Sequence, residues 1–338
     1  MRFLHIADLH LGKQMNDLLL LDDQEAVLDQ IIHIANDEKV DAVLIAGDVY
    51  QRTTPQAEAM ALFDRFVSRL VDDGRKIFVI SGNHDSALRI SYFSSLVKNA
   101  GVYVTETFNG ELQHVTLHDT DGDLNVWMMP FLRPAHVKRA LPDEKITSYQ
   151  DAVAAVIRHA DIDFSKRNLL ICHQFIVGCT TCDSEELSIG TLDHIDGTVF
   201  DGFDYVALGH IHGPQNVLRD TMRYAGSPLK YSFSEAAHHK SVTIVDMQEK
   251  GETMKSSRAK NLWISVCLKI IRRSWMQRRK RLMPMKKQLQ EKSASMKTFT
   301  RKFKMHSASA SARRNTGQLS ATSTIVVPAR LEVTVAPS

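Results

Sequence analysis

Five apolar runs, each of a length suited to one buried strand, end directly in carboxylate, imidazole or amide side chains. Arg2 to Ala7 ends in Asp8-Leu9-His10, and Ala42 to Ala46 in Gly47-Asp48. Lys76 to Ile80 leads to Gly82-Asn83-His84-Asp85, Asn168 to Cys172 to His173, and Tyr205 to Leu208 to Gly209-His210-Ile211-His212. Taken singly, such an Asp is a helix cap or turn residue more often than a ligand, and a buried His usually just satisfies a hydrogen bond. Together they constrain the chain strongly, because the strands of one sheet can deliver their terminal loops to one edge, where open α/β sheets place their sites.

The stretches between these runs alternate strand and helix. From Asp22 through Lys39, Ala26, Val27, Ile31, Ile34 and Ala35 recur at helical spacing, with Asp22, Asp23 and Glu25 near the start, where the helix dipole favours acids. A second helix is expected from about Pro55 to Val71, and a third around Ser86 to Lys98. Shorter strands at Val102 to Thr105, Leu112 to Leu117 and Leu124 to Met129, with Asn109-Gly110 and Asp121-Gly122 turns, suggest an antiparallel middle. A helix at about Tyr149 to Ala160 and strands at Met222 to Ala225 and Ser241 to Val245 complete an α/β sandwich or doubly wound sheet over residues 1–250.

The ligand chemistry is specific. Imidazole, carboxylate and one amide oxygen, without thiolate, favour Mn²⁺, Fe or Zn²⁺ over Ca²⁺ or an iron–sulfur cluster. In Asp8-x-His10 and His210-x-His212 the outer residues share a side if the backbone is extended. Seven candidate ligands exceed the needs of one ion. Two ions bridged by a carboxylate use them naturally, and such a pair clamps the attacking and leaving oxygens of a phosphoryl displacement.

The series resembles the calcineurin-like metallophosphoesterase superfamily and, within it, the SbcD-type DNA exonuclease subunits. The likeness lies in Ile6-Ala7-Asp8-Leu9-His10-Leu11-Gly12, Ala46-Gly47-Asp48-Val49-Tyr50, Ser81-Gly82-Asn83-His84-Asp85-Ser86 and Phe203 to His212. Tyr224-Ala225-Gly226-Ser227-Pro228 followed by Ser232-Phe233-Ser234-Glu235 adds a further SbcD-like signature. The resemblance implies a four-layer α/β/β/α sandwich with two divalent metal ions, usually Mn²⁺. One ion would be held by Asp8, His10 and His212, the other by Asn83, His173 and His210, with Asp48 bridging. His84 would orient the scissile phosphate and help protonate the leaving oxygen, a role suited to imidazole because it titrates near neutrality. Asp85 would either support a ligand from behind or cap a turn. The phosphatase-type Asp-Arg-Gly is absent after the second motif, where Val49-Tyr50-Gln51-Arg52 stands instead, so a DNA nuclease is expected ahead of a phosphoesterase on a small or protein-bound phosphate. A silent scaffold that binds DNA and the ATPase is the reading from another class, and the full ligand set argues against it.

Charge divides the 338 residues in two. Residues 1–250 hold 22 Lys and Arg against 36 Asp and Glu, whereas residues 251–338 hold 20 against 3. The acidic part is read as the nuclease domain. The basic part, with Arg272 to Arg281 and a Ser/Ala/Lys-rich stretch at 293–314, stands where the family has a capping domain and is expected to be out-of-frame or disordered sequence, with a DNA-binding arm as the other reading. In it, Ile325 to Val335 alone resembles a strand. The partners implied are DNA and a coiled-coil ATPase of the SbcC type, with homodimerisation left open. No run approaches the roughly 18 apolar residues of a membrane span, and Met1 leads straight into a strand pattern, so the expectation is a cytoplasmic protein without a membrane partner. Cys179-Thr180-Thr181-Cys182 and His238-His239-Lys240 are read as incidental loop cysteines and a solvated turn, and Met128-Met129 as core.

Overall fold

The computed structural model describes residues 1–15, 18–183, 185 and 194–250 and the backbone of 258–261. Strand β1 (Arg2–Ile6) is followed by the short antiparallel pair β2 (Gln14–Met15) and β3 (Leu18–Leu19), then by α1 (Leu21–Asp37). Next come β4 (Ala42–Ala46), α2 (Ala57–Asp72), β5 (Lys76–Ile80), the short helices α3 (Ala87–Ile90) and α4 (Ser94–Val97), and β6 (Val102–Val104). The second half runs through β7 (Gln113–Asp119), β8 (Gly122–Met129), α5 (Pro134–Ala140), α6 (Tyr149–His159) and β9 (Arg167–Cys172). It continues with β10 (Tyr205–Leu208), β11 (Gln215–Val217), β12 (Arg219–Tyr224), β13 (Ser241–Asp246) and β14 (Arg258–Asn261).

Two six-stranded sheets result, in the orders β14-β13-β1-β4-β5-β6 and β11-β12-β10-β9-β8-β7. In the first, β1, β4, β5 and β6 are mutually parallel; in the second, β12, β10, β9 and β8 are. Antiparallel strands finish the edges: β13 and β14 on one sheet, β7 and β11 on the other.

Alternation along each central strand explains the layering, because successive side chains point to opposite faces. Phe3, Ala42, Leu44, Phe78 and Ile80 meet Leu169, Ile171, Tyr205 and Ala207 between the sheets. Leu4, Ile6, Val43, Ile45, Ile77 and Val79 instead pack under α1 and α2, which present Val27, Leu28, Ile31, Leu62, Phe66 and Leu70 at helical spacing. Leu170, Cys172, Val206 and Leu208 pack under α5 and α6. Helix α6 begins with a capping box, in which Ser148 accepts from the Asp151 N–H and Asp151 accepts from the Ser148 N–H. The architecture is thus the expected α/β/β/α sandwich, and Met128 and Met129 are core as expected.

Three local expectations are corrected. The single helix expected from Ser86 to Lys98 is two short helices and a 3₁₀ turn, with Leu88, Tyr92, Phe93 and Leu96 exposed. The middle is antiparallel only where β7 meets β8; β6 joins the first sheet in parallel, and β8 pairs in parallel with β9. Lys240 does not lie in a solvated turn but is 4% exposed. The sheet also takes β14 from beyond residue 250. The expectations for Arg272 to Arg281, for residues 293–314 and for Ile325 to Val335 lie outside the described residues. No helix among the described residues is long and apolar enough to cross a membrane.

Candidate metal centre

The parallel strands β1, β4 and β5 end at one edge of their sheet, β9 and β10 end at the matching edge of the other, and the polar clusters follow immediately. Backbone hydrogen bonds tie these loops together. Asp8 N–H donates to the Gly47 carbonyl (3.1 Å), His10 N–H to that of Asp48 (2.9 Å), and Gly209 N–H to that of Cys172 (3.0 Å). Across the sheets, the Asp8 carboxylate accepts from His210 N–H at 2.9 Å. Asp8, His10, Asp48 and His210 all have φ between 44° and 96°. Left-handed backbone in non-glycine residues costs free energy and collects at functional sites. The backbone at Asp8, His10 and His210 is thus not extended, and left-handed residues present these ligands.

All seven sequence-predicted ligands converge. His10 Nε2 lies 3.1 Å from His212 Nε2, and Asp8, His10 and His212 each offer an atom within 4.8 Å of the others. Asn83 Oδ1 lies 3.1 Å from His173 Nε2 and 3.0 Å from His210 Nδ1. Between these groups, Asp48 Oδ2 is 3.6 Å from His10 Nε2 and 3.4 Å from His173 Nε2. His84 Nε2 stands 4.0 Å from the same oxygen, and its backbone N–H donates to Asp48 Oδ1 at 2.9 Å. Asp85 does not reach the cluster. Its carboxylate accepts from the N–H groups of Gly82, Val49 and Tyr50 at 2.9–3.1 Å, so it clamps the loop after β5 to the loop after β4.

Several surrounding residues escaped the sequence reading. Gln24 of α1 donates to the carbonyls of Leu9 and His10, and Tyr231 OH donates to that of Leu9. Glu235 is fully buried, with Oε1 3.2 Å from His212 Nδ1, and its other oxygen accepts from Lys240 Nζ at 2.5 Å. Burial pushes the Glu235 carboxyl up, but its bond to His212 and the Lys240 charge outweigh that and hold it below the usual range. Glu185 accepts from the backbone N–H groups of both His212 (2.7 Å) and Cys182 (2.5 Å), so the cysteine loop borders the centre. The Phe131 ring faces that of His210 at 6.3 Å, the planes inclined by 26°. Glu235 stood in a motif quoted for its resemblance, whereas Lys240, beside two histidines, carried no sequence signal of burial.

A family model described as calcineurin-like phosphoesterase matches residues 1–214. The chain belongs to the calcineurin-like phosphoesterase family. Solved structures partly similar to this phosphoesterase include a dimetal phosphatase from Danio rerio, with 13% identity and a TM-score of 0.43 over 73% of this chain and 93% of that one. The phosphoesterase Yfce from E. coli gives 13% and 0.30 over 78% and 100%. TT1561 of Thermus thermophilus gives 11% and 0.44 over 78% and 99%.

Phosphoesterases of this family are metal-dependent hydrolases, and the donor set of this one fits such cations. His173 Nδ1 donates to the Ala46 carbonyl at 2.7 Å, so in neutral imidazole Nε2 carries a lone pair, and it faces two oxygens, Asn83 Oδ1 and Asp48 Oδ2. Three electron-pair donors aimed at one point call for a positive charge between them. Burial lowers the pKa of His10, and burial together with His173 lowers that of His210 to about 3, which keeps both imidazoles in the neutral form a metal needs. Without cations, protons supply the missing charge: burial and Asp48 raise Asp8 to about 7, and the attraction of Asp48 overrides burial to raise His173 to about 9. A divalent ion must displace these protons. Mn²⁺ affinity should therefore rise with pH between about 7 and 9, with proton release on binding. Calorimetry in buffers of different ionisation enthalpy checks this, and a pH-independent affinity would refute it.

Proposed function

We propose that this phosphoesterase is a metal-dependent DNA nuclease of the SbcD type, cutting phosphodiester bonds at double-strand ends and hairpins. The observation that carries the hydrolytic reading is the convergence on Asp48 Oδ2 of imidazoles from both sheets. DNA as substrate is favoured by the Asn83-His84-Asp85-Ser86 motif and by a cavity of about 270 Å³ that opens beside Asn83. Phe108, Phe131, Arg133, His136 and Thr53 line it. Aromatic faces accept an unstacked base, and Arg133 can take a backbone phosphate.

In this reading Asp8, His10, His212 and Asp48 hold one divalent ion, and Asn83, His173, His210 and Asp48 the other, with Mn²⁺ proposed on the family resemblance. Bound ions supply Lewis-acid neutralisation of the phosphoryl oxygens and lower the pKa of water. His84 Nδ1 faces the Gln51 carbonyl at 3.3 Å and donates to it, which turns Nε2 toward the centre. From there Nε2 orients the scissile phosphate and, when protonated, passes its proton to the leaving oxygen. Asp85 fixes the loop on which Asn83 and His84 sit. The proposal extends to a coiled-coil ATPase partner of the SbcC type and to a second copy of the chain, for which exposed Leu88, Tyr92, Phe93 and Leu96 offer an apolar surface.

The test is cleavage of labelled duplex and hairpin DNA by the purified chain with Mn²⁺, with a chelator as control. His84→Ala should lower cleavage about 10²–10⁴-fold, the range for loss of a general acid, with Mn²⁺ binding retained. Hydrolysis of bis-p-nitrophenyl phosphate without any DNA cleavage would overturn the nuclease reading in favour of a phosphoesterase on a small or protein-bound phosphate.

A further inference from the structure

The chain between β12 and β13 grips both loops that carry the ligands of one ion. Tyr231 OH reaches the carbonyl of Leu9, between Asp8 and His10. Lys240 Nζ donates to the His212 carbonyl (2.8 Å), to Ser227 Oγ (2.8 Å) and to Glu235 (2.5 Å). Glu235 Oε1 faces His212 Nδ1 at 3.2 Å and also accepts from Tyr231 N–H at 3.2 Å. Each charge of this buried pair is hydrogen-bonded several times over, the condition under which a buried ion pair is tolerated. Replacing the pair with apolar residues would often be neutral or stabilising, so packing alone does not explain it.

We propose that the Glu235–Lys240 pair is a positioning device for His212, fixing its tautomer and orientation so that one of the two metal positions is filled tightly. A carboxylate can only accept from Nδ1–H, so neutral His212 carries its lone pair on Nε2, the atom 3.1 Å from His10 Nε2. Lys240 donates both to Glu235 and to the His212 carbonyl, so ring and main chain are fixed by one ion pair. The inference rests on the metal centre proposed above. It applies to the ion of Asp8, His10 and His212 and leaves that of Asn83, His173 and His210 untouched.

The experiment is Mn²⁺ titration of the metal-free chain, followed by calorimetry and electron paramagnetic resonance. Wild type should bind two ions as a spin-coupled pair. Glu235→Gln should weaken one ion about 10–100-fold, the usual effect of losing such a support, leaving an uncoupled signal from the other. The double variant Glu235→Gln/Lys240→Met should recover much of the second site, because the amide oxygen still accepts from Nδ1–H and no ammonium faces the amide nitrogen. A purely structural role would not produce loss confined to one ion. Wild-type affinity for both ions in Glu235→Gln, while His212→Ala loses one, would overturn the positioning role alone. Wild-type affinity for both ions in His212→Ala would overturn the metal assignment itself.

Discussion

Asp48→Asn is expected to lower Mn²⁺-dependent phosphodiester hydrolysis by at least about a thousand-fold, which is about 4 kcal/mol of lost transition-state stabilisation, and to reduce bound Mn²⁺ from two per chain to one or none. The expectation follows from position. Asp48 Oδ2 approaches imidazoles of both ligand groups, at 3.6 Å from His10 and 3.4 Å from His173, while Oδ1 holds the His84 backbone N–H at 2.9 Å. The amide keeps one oxygen but turns the other atom into an NH₂ group with no lone pair. If the amide oxygen stays with the His84 N–H, the bridge is lost; if it flips to the bridge, the His84 loop loses its anchor. Retention of both ions and of activity within tenfold would remove Asp48 from the bridging role. The thermal transition of the metal-free variant is the control, since Asp48 is buried and its loss leaves His173 without the carboxylate that raises its pKa to about 9.

The fold and the ligand set were legible in the sequence for the same reason. A strand buried on both faces reads as an unbroken apolar run, so Ala42–Ala46, Lys76–Ile80 and Tyr205–Leu208 were bounded to the residue. The polar residue that ends such a run is then conspicuous. What the sequence concealed depends on partners remote in the chain. Pairing direction at β6 and β8 is set by the neighbour each strand finds, not by its own pattern. The stretch from Ser86 to Lys98 has helical composition, yet it breaks into pieces where its apolar side chains reach the surface. Lys240 reads as solvated because lysine usually is. Glu235 stands only five residues before it, but it is the fold that buries both against His212, and the motif that contained Glu235 gave no hint of the ion pair. Left-handed φ at Asp8, His10, Asp48 and His210 was likewise invisible, since nothing in those residue types requires it.

The close approach of the two sheet edges yields the other large effect, at Gly209. A methyl group there would stand 1.9 Å from the Ala46 carbonyl oxygen and 2.7 Å from His173 Nδ1. Neither can yield easily: the carbonyl belongs to β4 and accepts from that same Nδ1 at 2.7 Å, and the ring is wholly buried. Gly209→Ala should therefore push the loop after β10 away from the end of β4, costing about 3 kcal/mol, the upper end for overpacking a tight site, or a fall in unfolding midpoint of roughly 6–12 °C. The displaced residue precedes His210, so the ion shared by Asn83, His173 and His210 should be lost first. Gly178→Ala is the comparison. Gly178 has φ of 94° and nothing within 4 Å of an added methyl group, so its cost is the backbone term alone, about 1–2 kcal/mol. A Gly209→Ala chain that unfolds no earlier than Gly178→Ala and still binds two ions would mean that the edges can part without cost, and the rigid seam between β4 and β10 would no longer explain how ligands from two sheets meet.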